Sequence, residues 1–532
     1  MMRTLTGLWR LVRLILRRDR VRLPVWVLGL AAVVIGSGAS LVPLYPEQAD
    51  IQQYVDLFGD NPALIAFAGP GYGFDNPNLG VILVNETQLW ACIGIALMSI
   101  FLVNRHTRAE EDAERTEVLR SSIVGRHAPT AAAVVVVAAA NVVFAALCGI
   151  AFVALGYGAT GTLAYAAGLA GCGLVFTGLT AALAQLAGSS RATLGLATAV
   201  LGLAFVLRAV GDITGNVLRW LSPIGWAQGV RAYAGEQWWP VALCLAATLL
   251  AVAAAFWLAT RRDLGSGILP QRPGPARAGT WARSPIGLAV RLQRATIVAW
   301  MAGLALMGGV YGSIGEDVEE MIEDNEAFAD VLAQMGGADV TDSFFATAVS
   351  MQAVLAAGFA ISAALRIRSE EAAGRVEPIL AGPVGRWRWA WSHLLVAAVG
   401  TVLVVAAGGV GVGASYAAVS GDASQVLRLT GAALATVPAV LVLAGVAVAL
   451  FGASLRLSLV AWAGLGVVVL VELFGELLRL PSWSRVVSPL HHVPGLPAED
   501  LRAVPLLVLT VIAVALTAVG LARFRSRDLQ VG

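Results

Sequence analysis

Residues 108–126 read RAEEDAERTEVLRSSIVGR, and residues 368–386 read RSEEAAGRVEPILAGPVGR. Laid over each other at a constant offset and without a gap, they match at Arg108/Arg368, Glu110/Glu370, Glu111/Glu371, Ala113/Ala373, Arg115/Arg375, Glu117/Glu377, Val124/Val384, Gly125/Gly385 and Arg126/Arg386. Each copy follows the second long apolar run of its half, so the chain reads as a tandem duplication.

Composition sets the solvent of those runs. Of 532 residues 58% are apolar and 13% charged, with mean hydropathy +0.77, more apolar surface than an aqueous fold can bury. Runs long enough to cross a bilayer fall near 24–45, 87–104, 131–156, 162–186, 192–210 and 239–260. A second set falls near 295–314, 346–365, 391–417, 429–451, 459–477 and 504–522. The expected fold is an all-α integral membrane protein of about twelve transmembrane helices in two parallel six-helix repeats. The repeats are residues 1–260 and 283–532, joined by a linker at 261–282. Arginines cluster at alternate loops, which puts both termini in the cytoplasm by the positive-inside rule.

Further repeats support the division. Gly188–Ser190 aligns with Gly452–Ser454, Ser222-Pro223 with Ser488-Pro489, and Arg262-Asp263-Leu264 with Arg527-Asp528-Leu529. Residues 3–22 carry Arg3, Arg10, Arg13, Arg17 and Arg20 on one helical face, which predicts an interfacial elbow helix; Arg283, Arg291 and Arg294 give a weaker version before the second half. Pro, Gly and Trp mixed with apolar residues at Gly211–Trp238 and Arg479–Ala503 suggest outer re-entrant segments. The outer loop Gly315–Ser343 holds ten acids and no base.

All 36 basic residues are arginine, and a nucleotide-binding P-loop requires a lysine. Any ATP hydrolysis therefore belongs to another chain. Cys92, Cys148, Cys172 and Cys244 lie inside apolar runs without ligand spacing, so they read as buried hydrophobes, and no metal site is expected.

In the charged modules Glu111 and Arg115 are four apart with the acid first, and Glu371 and Arg375 repeat this. A short surface helix follows, broken in the second copy at Pro378 and Gly382-Pro383. A loop needing only solubility has little reason to keep charge order in two diverged copies, so a docking surface is expected there.

The order of interfacial helix, two spans, charged module, two spans around a short inner loop, and outer dipping segment before the last span resembles the permease of an ABC-2 type (ABCG-like) exporter. Two such permeases look fused into one chain, most similar to actinobacterial tetronasin or polyketide antibiotic exporters. The resemblance implies two copies of a separate ABC ATPase, holding ATP and magnesium, docked on coupling helices at residues 105–126 and 366–388. The residues concerned are Glu110, Glu111, Arg115, Glu117 and Arg126, and Glu370, Glu371, Arg375, Glu377 and Arg386. It implies export of hydrophobic or amphipathic compounds across the plasma membrane by a chain that is not itself an enzyme. No nucleic-acid role is expected, since the arginines sit at membrane edges.

Charges inside spans are functional suspects. Arg208 and Asp212 in the fifth span correspond to Glu472 and Glu476 in the second half, which suggests an outer gate; local pairing at the membrane boundary is the simpler alternative. Phe101, Phe205, Met351 and Leu470 are candidate pathway contacts, alongside bilayer packing. A proton-coupled secondary multidrug transporter is the competing class. A membrane enzyme using His491-His492 is the weakest, because no catalytic or ligand partner stands at suitable spacing.

Overall fold

In hydrocarbon every backbone amide must bond within its own segment, so uninterrupted Ala, Leu and Val runs become helices. The computed structural model describes residues 2–58, 62–116, 124–263, 265–269, 281–313, 340–474 and 486–529, with single positions 277, 279, 315 and 483. Its elements are helical, and the chain is an all-α integral membrane protein. It divides into two units, Met1–Gly274 and Pro275–Gly532.

The first unit begins with the amphipathic α1 (Leu8–Arg18), which buries Leu11 and Val12 and exposes its arginines, and continues into α2 (Arg22–Leu44). The loop that follows contains α3 (Gln48–Phe58) and α4 (Pro62–Ala68). Then come α5 (Leu79–His106), α6 (Arg108–Asp112), α7 (Ala128–Ala154), α8 (Ala159–Leu186) and α9 (Ser190–Ile213). The short α10 (Pro223–Gln228) precedes α11 (Trp239–Thr260). The second unit runs α12 (Pro285–Ser313), α13 (Val340–Ala364), α14 (Arg366–Ala372), α15 (Glu377–Leu380) and α16 (Arg386–Ser420). It ends with α17 (Ser424–Leu434), α18 (Val437–Ala453), α19 (Val460–Phe474) and α20 (Ala503–Ser526).

Among the described residues eleven helical segments are long and apolar enough to cross a membrane. The span expected at 459–477 is described as the 15-residue α19, because residues 475–482 lie outside the described set. Three boundaries differ from the sequence reading for physical reasons. Asn78 caps α5 by accepting from the Val81 amide at 3.2 Å, so this span begins two turns earlier than residue 87 and takes Glu86 into the helix. The second elbow is continuous with its span, since Arg291 and Arg294 lie within α12. The fourth span of the second unit is split into α17 and α18, with Pro438 in the first turn of α18, where its missing amide proton costs no helical bond.

Helix contacts are close where glycines remove side chains. On α12 a Cβ at Gly308 would meet the Gly408 carbonyl oxygen at 2.4 Å, and one at Gly312 would meet that of Val412 at 2.1 Å. This small-xxx-small spacing lets α12 lie against the backbone of α16. The core of the first unit is one apolar cluster, and that of the second a large cluster with a small one of Phe345, Val412 and Leu429; in the first a polar knot joins three spans, where Asn141 donates to Ser99 Oγ at 3.1 Å and to Thr177 Oγ1 at 3.0 Å. The four cysteines are free and buried.

Outside the spans, α10 is buried where the sequence suggested a dipping segment. Ser222 caps it, Gln88 donates to the Ala227 carbonyl at 3.1 Å, and Gln228 donates to that of Ala68 at 2.7 Å. Ser488 caps Leu490 at 3.3 Å at the matching place in the second unit.

Candidate functional site

The repeated charged modules form the most highly wired polar sites of the two units. In each, the second span ends, a short helix (α6 or α14) follows, and the chain then reverses. The reversal is a helix C-terminal motif: Gly374 N donates to Glu371 O at 2.9 Å and Arg375 N to Glu370 O at 3.1 Å, with Gly374 at φ 67°. Glu114 occupies the same position in the first unit at φ 58°, where a non-glycine residue is strained.

Because the helix stops at Asp112 or Ala372, the four-apart pairing expected for Glu111 with Arg115, and Glu371 with Arg375, does not form. Instead Arg115 Nε donates to Glu110 at 2.9 Å and Arg375 Nε to Glu370 at 2.7 Å, each folding back over the turn. Glu110 also pairs with Arg18 of α1 at 2.7 Å, and Glu370 with Arg366 at 2.8 Å. The hydrogen bonds to these carboxylates raise the pKa of Arg18 and Arg375 above the ordinary arginine value.

The neighbouring acid points the other way. Glu111 accepts both terminal nitrogens of Arg262, at 2.5 and 2.8 Å; Glu371 accepts both of Arg527, at 2.7 and 2.7 Å. Both arginines open the Arg-Asp-Leu motif after the sixth span of their half. Bidentate geometry of this kind fixes orientation as well as distance. Arg126 then donates to the Ala259 carbonyl at 2.7 Å, and Arg386 to that of Arg527 at 2.7 Å, so the start of the third span is tied to the same tail. Arg108 is fully buried and reaches the carbonyls of Gly188, Gly265 and Ser266 at 2.7 to 2.9 Å, while Arg368 reaches Leu455 at 2.9 Å.

The carboxylates therefore face inward and the tips face out. Glu110, Glu370 and Glu371 are buried, whereas the Arg115 and Arg375 side chains are 56% and 51% exposed and Ala113 and Ala373 lie on the surface. Glu377 is exposed in the first turn of α15, where Pro378 starts a new helix rather than only ending one. Glu117 lies outside the described residues.

The span residues are more dispersed. Arg208 is buried, donates to the carbonyls of Ile65 and Ala66, and stands 3.5 Å from Asp212 and 5.3 Å from the Phe205 ring centre. Phe205 packs edge-on against Phe67 at 6.4 Å, and Phe101 stacks on Trp26 at 6.0 Å. Met351 accepts from the Tyr311 hydroxyl at 3.3 Å, and Leu470 is exposed on α19. Glu472, half-buried, has one carboxylate oxygen without a hydrogen-bond partner, while Glu476 lies outside the described residues.

A family model described as the C-terminal domain of multidrug efflux system permease Rv1217c matches residues 283–525. Over 531 residues the chain is 38% identical to the multidrug efflux system permease protein Rv1217c of Mycobacterium tuberculosis (strain ATCC 25618 / H37Rv), an alignment covering 99% of this chain and 96% of that relative. The chain belongs to this family of multidrug efflux permeases.

For the permease, sequence reasoning missed the partners of its own modules. Arg262 and Arg527 were visible only as a repeated tripeptide with no role. Asp19 was missed entirely: it is fully buried after α1, with His106 at 2.7 Å and Arg105 at 3.2 Å. Glu86, one residue before the apolar run near 87–104, is helical and accepts from the Tyr54 hydroxyl at 2.8 Å.

Proposed function

We propose that this permease is the membrane subunit of an ATP-driven exporter of the ABC-2 type, two permease halves fused in the manner of the tetronasin and polyketide exporters, moving hydrophobic or amphipathic drugs out of the cell. Two copies of a separate ATPase, which bind ATP and magnesium, would dock on the exposed tips around Ala113–Arg115 and Ala373–Arg375, at a cytoplasmic face that also holds both termini. The observation carrying this reading is that both halves present an exposed tip on the same internal wiring. A lysine-free chain needs such a partner for phosphate chemistry.

The wiring supplies the transmission. Force on a tip reaches the third span through Arg126 or Arg386 and the sixth through Glu111–Arg262 or Glu371–Arg527. These spans then move with the second as one body, opening the pathway outward. Arg208, Asp212, Glu472 and Glu476 are assigned to the outer gate, and Phe101, Phe205, Met351 and Leu470 to the apolar pathway.

The test is drug-stimulated ATP hydrolysis by the full chain reconstituted in lipid with its ATPase, against the ATPase alone. Ala113→Trp with Ala373→Trp blocks both tips without touching a buried ion pair, and stimulation should fall at least tenfold. Unchanged stimulation removes the tips as the docking surface. Drug transport that needs no ATPase and collapses with a protonophore would replace the proposal by proton-coupled transport.

A further inference from the structure

The second unit contains an apolar groove that the transport reading leaves unused. It is a cavity of about 220 Å3 between α13, α16, α18 and α20, walled by small and branched residues such as Ala364, Leu394, Ala444, Val448 and Ala518. Among the described residues, apart from the indole N–H groups of Trp387 and Trp391 at one end, its polar side chains are Thr401 and Thr517. Both hydroxyls are spent within their own helices, on the Ala397 and Ala513 carbonyls at 2.9 and 2.8 Å. Beyond the tryptophan end its polar groups are thus satisfied, and a hydrocarbon chain suits it.

Its arginine-rich end has different chemistry. Trp387 and Trp391, one turn apart on α16, lie parallel with ring centres 6.4 Å apart, and each is about half exposed. Tryptophan at this level marks the boundary between hydrocarbon and headgroups. Arg388 lies three residues before Trp391. Arg525 lies one turn beyond Leu521, on the stripe of α20 that lines the groove through Val514, Ala518 and Leu521. Both are exposed, and among the described residues neither side chain has an ion-pair or hydrogen-bond partner. Their neighbours differ: Arg386 and Arg527 are consumed by the module wiring. From Ala513 to Leu521 the groove follows α20 for about 12 Å, most of one leaflet's half of a hydrocarbon core about 30 Å thick.

We propose that this groove is a specific site for an anionic phospholipid, with one acyl chain between the four helices and the phosphate held by Arg388 and Arg525. Two unneutralised cations at the mouth of a dry groove complement an anionic amphiphile. A zwitterionic lipid would fill the groove equally well and gain less at the mouth. The site lies at the ends of the helices joined by the Glu371–Arg527 pair, and it stands independently of the cargo and of the energy source.

The test is native mass spectrometry of the purified full-length chain in mild detergent, titrated with dioleoyl phosphatidylglycerol or dioleoyl phosphatidylcholine. Phosphatidylglycerol should bind at least tenfold more tightly. Loss of each charge in Arg388→Gln and Arg525→Gln should weaken it about fivefold, and the double variant should bind both lipids alike. Ala518→Trp should weaken both lipids by filling the groove; if it does not accumulate, Ala518→Leu makes the same test at smaller volume. Equal binding of the two lipids by the native chain, no effect of the arginine variants, or no effect of filling the groove would each overturn the proposal, the first by reducing the lipid to a non-specific shell.

Discussion

Replacing Glu371 by alanine should destabilise the second unit by about 3 kcal/mol, far more than a surface acid warrants. The figure follows from the surroundings it leaves behind. Its side chain is 2% exposed and that of Arg527 13%, joined by two bonds of 2.7 Å. Without the carboxylate, the guanidinium remains against the packed Phe451 and Phe524 rings, 4.9 and 5.3 Å away, without that counter-charge. Arg527→Ala should cost a similar amount by taking both of these bonds from the buried Glu371. In the double variant neither charge is stranded, so its loss should fall short of the sum by about 2 kcal/mol. Arg375→Ala is the control: its side chain is half exposed, and its loss should cost about 0.5 kcal/mol. Equilibrium unfolding in mixed micelles with a titrated denaturing detergent reads all four. Additive single effects, or a Glu371→Ala loss below about 1 kcal/mol, would refute the claim that this pair is a buried lock.

The same turn gives a prediction of opposite sign. Glu114→Gly should stabilise the first unit by about 1 kcal/mol by relieving a positive φ, and Gly374→Glu should destabilise the second by a similar amount; the same unfolding assay reads both. At the helix contacts, Gly312→Leu should abolish accumulation of monodisperse protein, because its Cβ would stand 2.1 Å from a backbone carbonyl that cannot move independently of α16, whereas Gly303→Leu, with nothing within 4 Å, should be tolerated; size-exclusion chromatography separates the outcomes.

Spans were legible because their length and apolarity are local properties, and the duplication because nine identities stand at one offset. The pairing inside each module was not. The helical four-apart rule assigned Arg115 to Glu111, but the rule holds only while the helix continues, and the chain leaves it after Asp112. Glu111 has one local partner, Arg108 three residues before it at 2.9 Å, but its bidentate partner Arg262 lies 151 positions away, and Arg527 lies 156 from Glu371; no periodicity reports such distances. The repeated Arg-Asp-Leu tripeptide was the signal, and what it lacked was a reason to join one repeat to another. The start of α5 was misplaced for a local cause, since Asn78 caps a helix across residues that hydropathy alone assigns to a loop.

Two copies of one module in a single chain also separate wiring from surface. The acids directed inward, the arginines of turn and tail that receive them (Arg115 and Arg262, Arg375 and Arg527) and the tripeptide after the sixth span recur in both halves, while Glu110 takes Arg18 where Glu370 takes Arg366, and Glu114 corresponds to Gly374 and Asp112 to Ala372 at the exposed turn. Charge order in the repeats is therefore explained first by internal ion pairs, and it does not by itself require a partner. Neutralising Glu111 and Glu371 would unlock the sixth span and confuse a loss of structure with a loss of docking. A partner must instead read the shape and charge of the tips, which differ between halves. Altering Ala113 and Ala373 one at a time would then disable unequal amounts of coupling, and the half whose tip matters more would be identified without breaking either lock.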